Sequence, residues 1–136
     1  MAEFTAVQSR CRNLPFPISI NDFMEVNVLT QANEGPAYRE LLAGVEMKTL
    51  AHGDRTLLSA FKIAEGAVIP VHSHPHEQTG YLVSGRLRFE IDANVLIAKP
   101  GAGWCLAANL PHGATALEDS VVIEVFSPVR EDYLPE

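Results

Sequence analysis

From Pro36 onward the chain is written in short strand-like segments cut apart by glycine and proline, and this rhythm restricts the fold more than any other feature. The predicted strands are Val45–Leu50, Thr56–Ile63, Thr79–Val83, Arg86–Ile91, Val95–Ala98, Gly103–Ala107, Ala114–Leu117 and Ser120–Phe126. In Arg86-Leu87-Arg88-Phe89-Glu90-Ile91 charged and apolar residues alternate, which puts Leu87, Phe89 and Ile91 on one face. Val83-Ser84-Gly85-Arg86 and Ile91-Asp92-Ala93-Asn94 read as hairpin connections. No long amphipathic helix pattern follows residue 42, so the spacing predicts an all-β domain, a sandwich or barrel. At 136 residues the chain forms one domain with room for a sizeable core.

Residues 1–35 do not follow that rhythm. Pro15-Phe16-Pro17 and the polar stretch Thr30-Gln31-Ala32-Asn33-Glu34 interrupt it, and Ile18-Ser19-Ile20 is a candidate for one short strand. Leu14, Phe16, Ile18, Ile20, Phe23 and Met24 are apolar enough that we expect this N-terminal arm to pack. Its support is either the barrel of residues 36–136 or a partner subunit.

The formal net charge of −7, with no basic cluster, argues against nucleic acid and anionic membrane surfaces as partners. It does not argue against an anionic small molecule, because one arginine and a metal ion reverse a local field. No apolar run approaches the ~20 residues that span a bilayer. Met1-Ala2-Glu3-Phe4 opens no secretory signal, so a cytoplasmic protein is expected. Cys11 and Cys105 lack metal or redox spacing, and Cys105, inside Trp104-Cys105-Leu106-Ala107-Ala108, reads as a small core residue.

Two blocks carry chemistry. The first is His72-Ser73-His74-Pro75-His76-Glu77-Gln78, with Pro111-His112 downstream. Histidines at i and i+2 share a face of an extended strand, and imidazole is the commonest side-chain ligand for borderline divalent metals. A nearby oxygen donor and a distant third histidine suggest a metal site closed by folding, against the plainer reading of a histidine-rich turn. Glu77 and Gln78 compete as the oxygen donor: a carboxylate is the stronger ligand, and strand parity leaves both open.

The second block is Ser120-Val121-Val122-Ile123-Glu124-Val125-Phe126-Ser127-Pro128-Val129-Arg130. Both faces are apolar except at Glu124, which predicts burial on both sides. A buried carboxylate needs a partner or a proton. Glu124 and Arg130 form either a structural ion pair or a working pair, in which Glu124 moves a proton beside a metal and Arg130 forks a substrate carboxylate. His52 reads as an exposed turn residue, Trp104 as a packing residue, and Tyr133 as a possible cover for the barrel mouth.

Gly66-(x)5-His72-x-His74-(x)3-Gln78-(x)6-Gly85 resembles the first signature of the cupin superfamily, with Gln78 where the family has Glu. Pro111-His112, after Pro100-Gly101-Ala102-Gly103, resembles a degenerate second signature. The resemblance implies a jelly-roll barrel holding one divalent metal ion (nickel, zinc, iron, copper or manganese) on His72, His74, Gln78 and His112. It places the oxygen ligand at Gln78, and His76 becomes a turn or supporting residue. Three imidazoles and an amide leave the metal its full charge, which favours Lewis-acid chemistry over stabilising a higher oxidation state.

His-x-His-Pro-His-Glu-Gln, Pro-His-Gly-Ala and Val-Phe-Ser-Pro-x-Arg-Glu-Asp-Tyr together resemble the small single-domain cupins around the pectin-degradation protein KdgF. Those proteins linearise unsaturated uronate monomers, with an Asp, a Phe and an Arg on the last strand at the spacing of Glu124, Phe126 and Arg130. Glu124 is one methylene longer than the family's Asp, and the N-terminal arm is longer too. The resemblance thus implies a metal-dependent lyase or isomerase, with Glu124, Phe126 and Arg130 in catalysis or substrate contact, and a homodimer. A small metal-dependent dioxygenase on the same ligands and a non-catalytic carbohydrate-binding or sensor cupin are the alternatives.

Overall fold

The computed structural model describes residues 29–135, so Cys11, Ile18–Ile20 and the apolar residues of the arm lie outside the described residues. Eight strands follow one another: β1 (Arg39–Leu42), β2 (Val45–His52), β3 (Leu57–Ile63), β4 (Val68–His72), β5 (Glu77–Ile91), β6 (Asn94–Ala98), β7 (Gly103–Leu106) and β8 (His112–Ser127). A single turn of 3₁₀ helix, Glu131–Tyr133, closes the described chain. The predicted all-β domain is what forms, and among the described residues no helix is long and apolar enough to cross a membrane.

Two strands are longer than the sequence rhythm suggests, and they organise the molecule. β5 and β8 pair antiparallel from Glu77↔Ser127 to Ile91↔His112. Their first and second halves recruit different neighbours. The Glu77–Leu82 half of β5 takes β7 on its other edge, and the second half of β8 takes β3 and, beyond it, β2 and β1. The Arg86–Ile91 half of β5 takes β6, while the start of β8 takes β4. The pair therefore bends from one sheet into the other, the jelly-roll arrangement.

The bend falls at the predicted Val83–Arg86 hairpin, which is corrected here to a bulge inside β5. Gly85 has φ +94, and the β5–β8 register shifts on both sides of it. A Cβ at Gly85 would lie 2.2 Å from Ser120 Oγ and 2.4 Å from the Asp119 carbonyl, so only glycine lets the strands pass this closely. The separate strands Ala114–Leu117 and Ser120–Phe126 likewise merge into β8, because β5 stays paired alongside. The second predicted hairpin does form, with Asp92 (φ 46) and Ala93 (φ 67) both left-handed between β5 and β6.

Alternation sets the core. Leu82, Leu87, Val122 and Phe126 point inward with Val45, Met47 and Leu57, all buried. Along the end of β8 only one face is fully buried, and Val121, Ile123 and Val125 are half-buried, which corrects the expectation of burial on both sides. Cys105 is exposed rather than core, because β7 turns Leu106 inward and its neighbour outward.

Candidate metal centre and active-site cavity

His72 ends β4 and pairs directly with His112, the first residue of β8. His74 is not on that strand, which corrects the expected i, i+2 face: β4 stops at His72, and His74 arrives from the bend before β5. Asn109, itself left-handed at φ 64, donates its N–H to the His74 carbonyl at 2.7 Å and pins that bend. The three imidazoles converge, with ring centroids 4.4 Å apart for His72 and His112 and 4.9 Å for His74 and His112. One nitrogen from each lies within 4.8 Å of the others.

Each Nδ1 faces a backbone carbonyl: His72 that of Pro70 at 2.8 Å, His74 that of His76 at 3.0 Å, His112 that of Leu110 at 2.7 Å. A carbonyl only accepts, so Nδ1 carries the hydrogen and Nε2 presents its lone pair. Burial, aided by the nearby Arg130 and His112 charges, holds His74 below the usual imidazole range. Burial likewise lowers His112, against the pull of the Leu110 carbonyl. Neutral rings with free Nε2 atoms are what a metal ion requires.

Parity in the folded strand separates the two candidate oxygen donors. Glu77 is exposed at the start of β5 while Gln78 is buried on the inner face with Leu82. Gln78 Nε2 donates to Glu124 Oε2 at 2.7 Å, which turns Oε1 toward His74 Nε2 at 3.0 Å. That contact sets two lone pairs against each other, since His74 has already spent its hydrogen on a carbonyl. His112 Nε2 is buried without a hydrogen-bond partner among the described residues. An orphaned imidazole nitrogen and an acceptor facing an acceptor both call for a cation, so the residues present fit a divalent metal ion. The His76 carbonyl supports His74, while the His76 ring, 5.5 Å from that of His74, lies outside the group of three.

The site opens on a cavity of about 400 Å³ whose lining includes His72, Gln78, His112, Glu124, Phe126 and Arg130. Glu124 is buried, and its carboxyl is pushed up to about 8 by burial, against the hydrogen bonds from Gln78 and Trp104. Of the two readings of Glu124 and Arg130, the direct structural ion pair is not formed: among the described residues Arg130 Nε pairs with Asp132 Oδ1 at 3.0 Å. Phe126 is 1% exposed, with its ring 5.9 Å from that of His74, and so serves the core as well as the cavity wall.

Trp104 does more than pack. Its ring lies 4.8 Å from Phe89, and its Nε1 donates to Glu124 Oε2 at 3.4 Å. Register explains how, because Gly80 is paired with Trp104 on one side and with Glu124 on the other. A Cβ on Gly80 would come within 2.2 Å of the indole, so the glycine is the gap through which Trp104 reaches Glu124. A lone glycine inside a strand pattern was the available signal for this contact. Tyr133 lines the cavity, against Phe126 at 5.3 Å, and His52 is exposed at the end of β2.

A jelly-roll barrel with a histidine triad at one cavity defines a cupin, and the chain belongs to the cupin family, whose cupin domain profile matches residues 59–127. Within that family it is similar to the pectin degradation protein KdgF of Dickeya dadantii, at 32% identity over 99 residues, covering 71% of this chain and 90% of that protein. The solved structure of KdgF from a Halomonas species is 35% identical, with a TM-score of 0.70 over 73% of this chain and 92% of that one. An RmlC-like cupin from Shewanella frigidimarina, at 24% identity and a TM-score of 0.73, covers 77% of this chain and 95% of its own and shares the fold.

Proposed function

We propose that this cupin is a metal-dependent lyase or isomerase that opens the ring of a small carboxylated sugar such as an unsaturated uronate. One observation carries the reading: a single cavity is lined by His72, His112, Gln78, the buried Glu124 and Arg130, with His74 completing the histidine cluster at its wall. The likeness to two KdgF proteins supports it.

His72, His74, His112 and Gln78 Oε1 would hold the metal ion. When bound between four neutral donors, it supplies Lewis-acid polarisation of a substrate oxygen. Arg130 receives the substrate carboxylate, for which a guanidinium fork is the matching group. Phe126 walls the cavity and sets how the ring lies. Glu124 is held at Oε2 by Gln78 and Trp104, while its Oε1 carries no hydrogen bond among the described residues. Oε1 is therefore the atom that moves a proton. Opening a cyclic enol ether at its hemiacetal carbon needs one proton removed from the hydroxyl and one delivered to the alkene carbon as the C–O bond breaks. A carboxyl that delivers one proton to the alkene carbon and takes one from the hydroxyl meets that balance, with no redox partner.

The test follows an unsaturated uronate monomer by proton NMR, using metal-loaded protein purified without a metal-affinity tag. Wild type accelerates loss of the alkene signal over the spontaneous reaction, and Arg130→Ala loses about tenfold or more in kcat/KM. Spontaneous-rate conversion by metal-loaded wild type would remove the uronate reading. The protein is also inferred to be a homodimer, a reading supported by Val95, Leu96 and Ile97, all exposed on the edge strand β6. Sedimentation at the monomer mass would remove that inference.

A further inference from the structure

Arg130 is held before any substrate arrives. Its Nε donates to Asp132 Oδ1 at 3.0 Å and Oδ2 at 3.3 Å. Its guanidinium carbon lies 4.1 Å from the centre of the Tyr133 ring and 5.3 Å from that of Phe126. The turn carrying Asp132 and Tyr133 is tied to the far edge of the sheet. Arg39 on β1 donates Nη2 to the Asp132 carbonyl at 2.6 Å, and Thr49 on β2 donates its hydroxyl to the Tyr133 carbonyl.

A guanidinium offers a carboxylate two approaches, side-on through Nε and one Nη, or end-on through both Nη groups. Asp132 occupies the side-on approach. Among the described residues nothing hydrogen-bonds to either Nη of Arg130, which lines the cavity. The Asp132 side chain is 61% exposed against 15% for Arg130, so water screens the ion pair and its contribution to folding is small. Its effect is on geometry.

We propose that Asp132 is the positioning residue for Arg130, holding it by Nε against the Tyr133 ring so that a substrate carboxylate is received end-on by the two Nη groups. The proposal deepens the reading of Arg130 as the carboxylate clamp and rests on it.

Two measurements test it separately. In the free protein, ¹⁵N NMR of the arginine side chains gives an Arg130 Nε–H protected from exchange and shifted by the Tyr133 ring. Asp132→Ala removes both features with the melting temperature within about a degree or two of wild type, as expected for an exposed pair. An Arg130 Nε–H signal unchanged in Asp132→Ala overturns the positioning itself. In turnover of the unsaturated uronate, Asp132→Ala raises KM about tenfold with kcat within about twofold and metal content intact. Asp132→Asn, which keeps an acceptor, recovers most of that loss. Arg130→Ala/Asp132→Ala is no worse than Arg130→Ala alone. A fully additive double variant overturns the coupling, whereas a wild-type KM in Arg130→Ala overturns the clamp reading and leaves the NMR result standing.

Discussion

Gln78 is the pivot of the site, because one planar amide addresses both the histidines and the buried Glu124 carboxyl. Its oxygen faces His74 and its nitrogen holds Glu124. Gln78→Glu should therefore act in opposite directions. The new carboxylate binds the metal more tightly, while the donor to Glu124 is lost and the charge left for Lewis-acid work falls. Competition with a chelator should show higher affinity, and turnover should drop about tenfold or more; tighter binding with unchanged turnover would contradict this. Glu124 gives a pH prediction. Its carboxyl, ordinarily at 4.5, stands at about 8 in the metal-free fold, so the native state keeps a proton that the unfolded chain has released. Its stabilisation is complete below pH 4.5 and is lost as pH rises through about 8. Glu124→Gln lacks that loss, so in metal-free melts its stability relative to wild type should rise with pH across this window and then level off. A difference that instead grew toward acid would contradict the assignment. The histidine cluster was legible in the sequence, because His72, His74 and His112 stand at spacings that few turns explain. That Gln78 rather than Glu77 faces inward was not legible from the sequence. It depends on which residue begins β5, and a one-residue slip reverses it.

At the scale of elements, β5 and β8 decide where everything stands. Their common bend carries Gln78 and Glu124 on one side of Gly85 and leads to His112 on the other. Gly85→Ala should cost roughly 2–4 kcal/mol in urea unfolding, since its Cβ meets the Asp119 carbonyl and the residue must hold φ +94. A cost under about 0.5 kcal/mol, typical of an exposed hairpin tip, would favour the turn reading over the bulge. Gly80→Ala tests the other glycine: it should push Trp104 off Glu124, altering the emission of the chain's single tryptophan without unfolding the barrel. Unchanged emission would mean the indole is not seated in that gap. The sequence misleads at Ser84-Gly85 because serine and glycine serve a turn and a bulge equally well. Only the partner strand, thirty-odd residues away, distinguishes them. Strands β1 and β4 escaped the sequence reading because both are short, and neither alternates cleanly between apolar and polar residues.

The molecule as a whole carries a net charge of −7, yet its cavity presents Arg130 and a donor set fit for a cation. An acidic protein that takes an anionic ligand must concentrate positive charge at one point, and the metal ion would supply most of it. On the proposed donor set, metal binding should then also stabilise the fold, because the four residues come from β4, β5, β8 and the bend between β4 and β5, and only the native state assembles them. At a hundredfold excess over Kd the gain is about 2.7 kcal/mol, a shift of several degrees in melting temperature that a chelator should reverse. The barrel was legible because its strands carry their own alternation, whereas the hold on Arg130 was not, since it joins Asp132 and Tyr133 to Arg39 and Thr49 across the sheet. The central claim is that His72, His74, His112 and Gln78 close one metal site, and metal content tests it most directly. Protein purified without an affinity tag and dialysed against limiting metal should hold about one ion per chain by mass spectrometry. His72→Ala/His74→Ala should hold almost none, and a folded double variant that still carried stoichiometric metal would contradict the site.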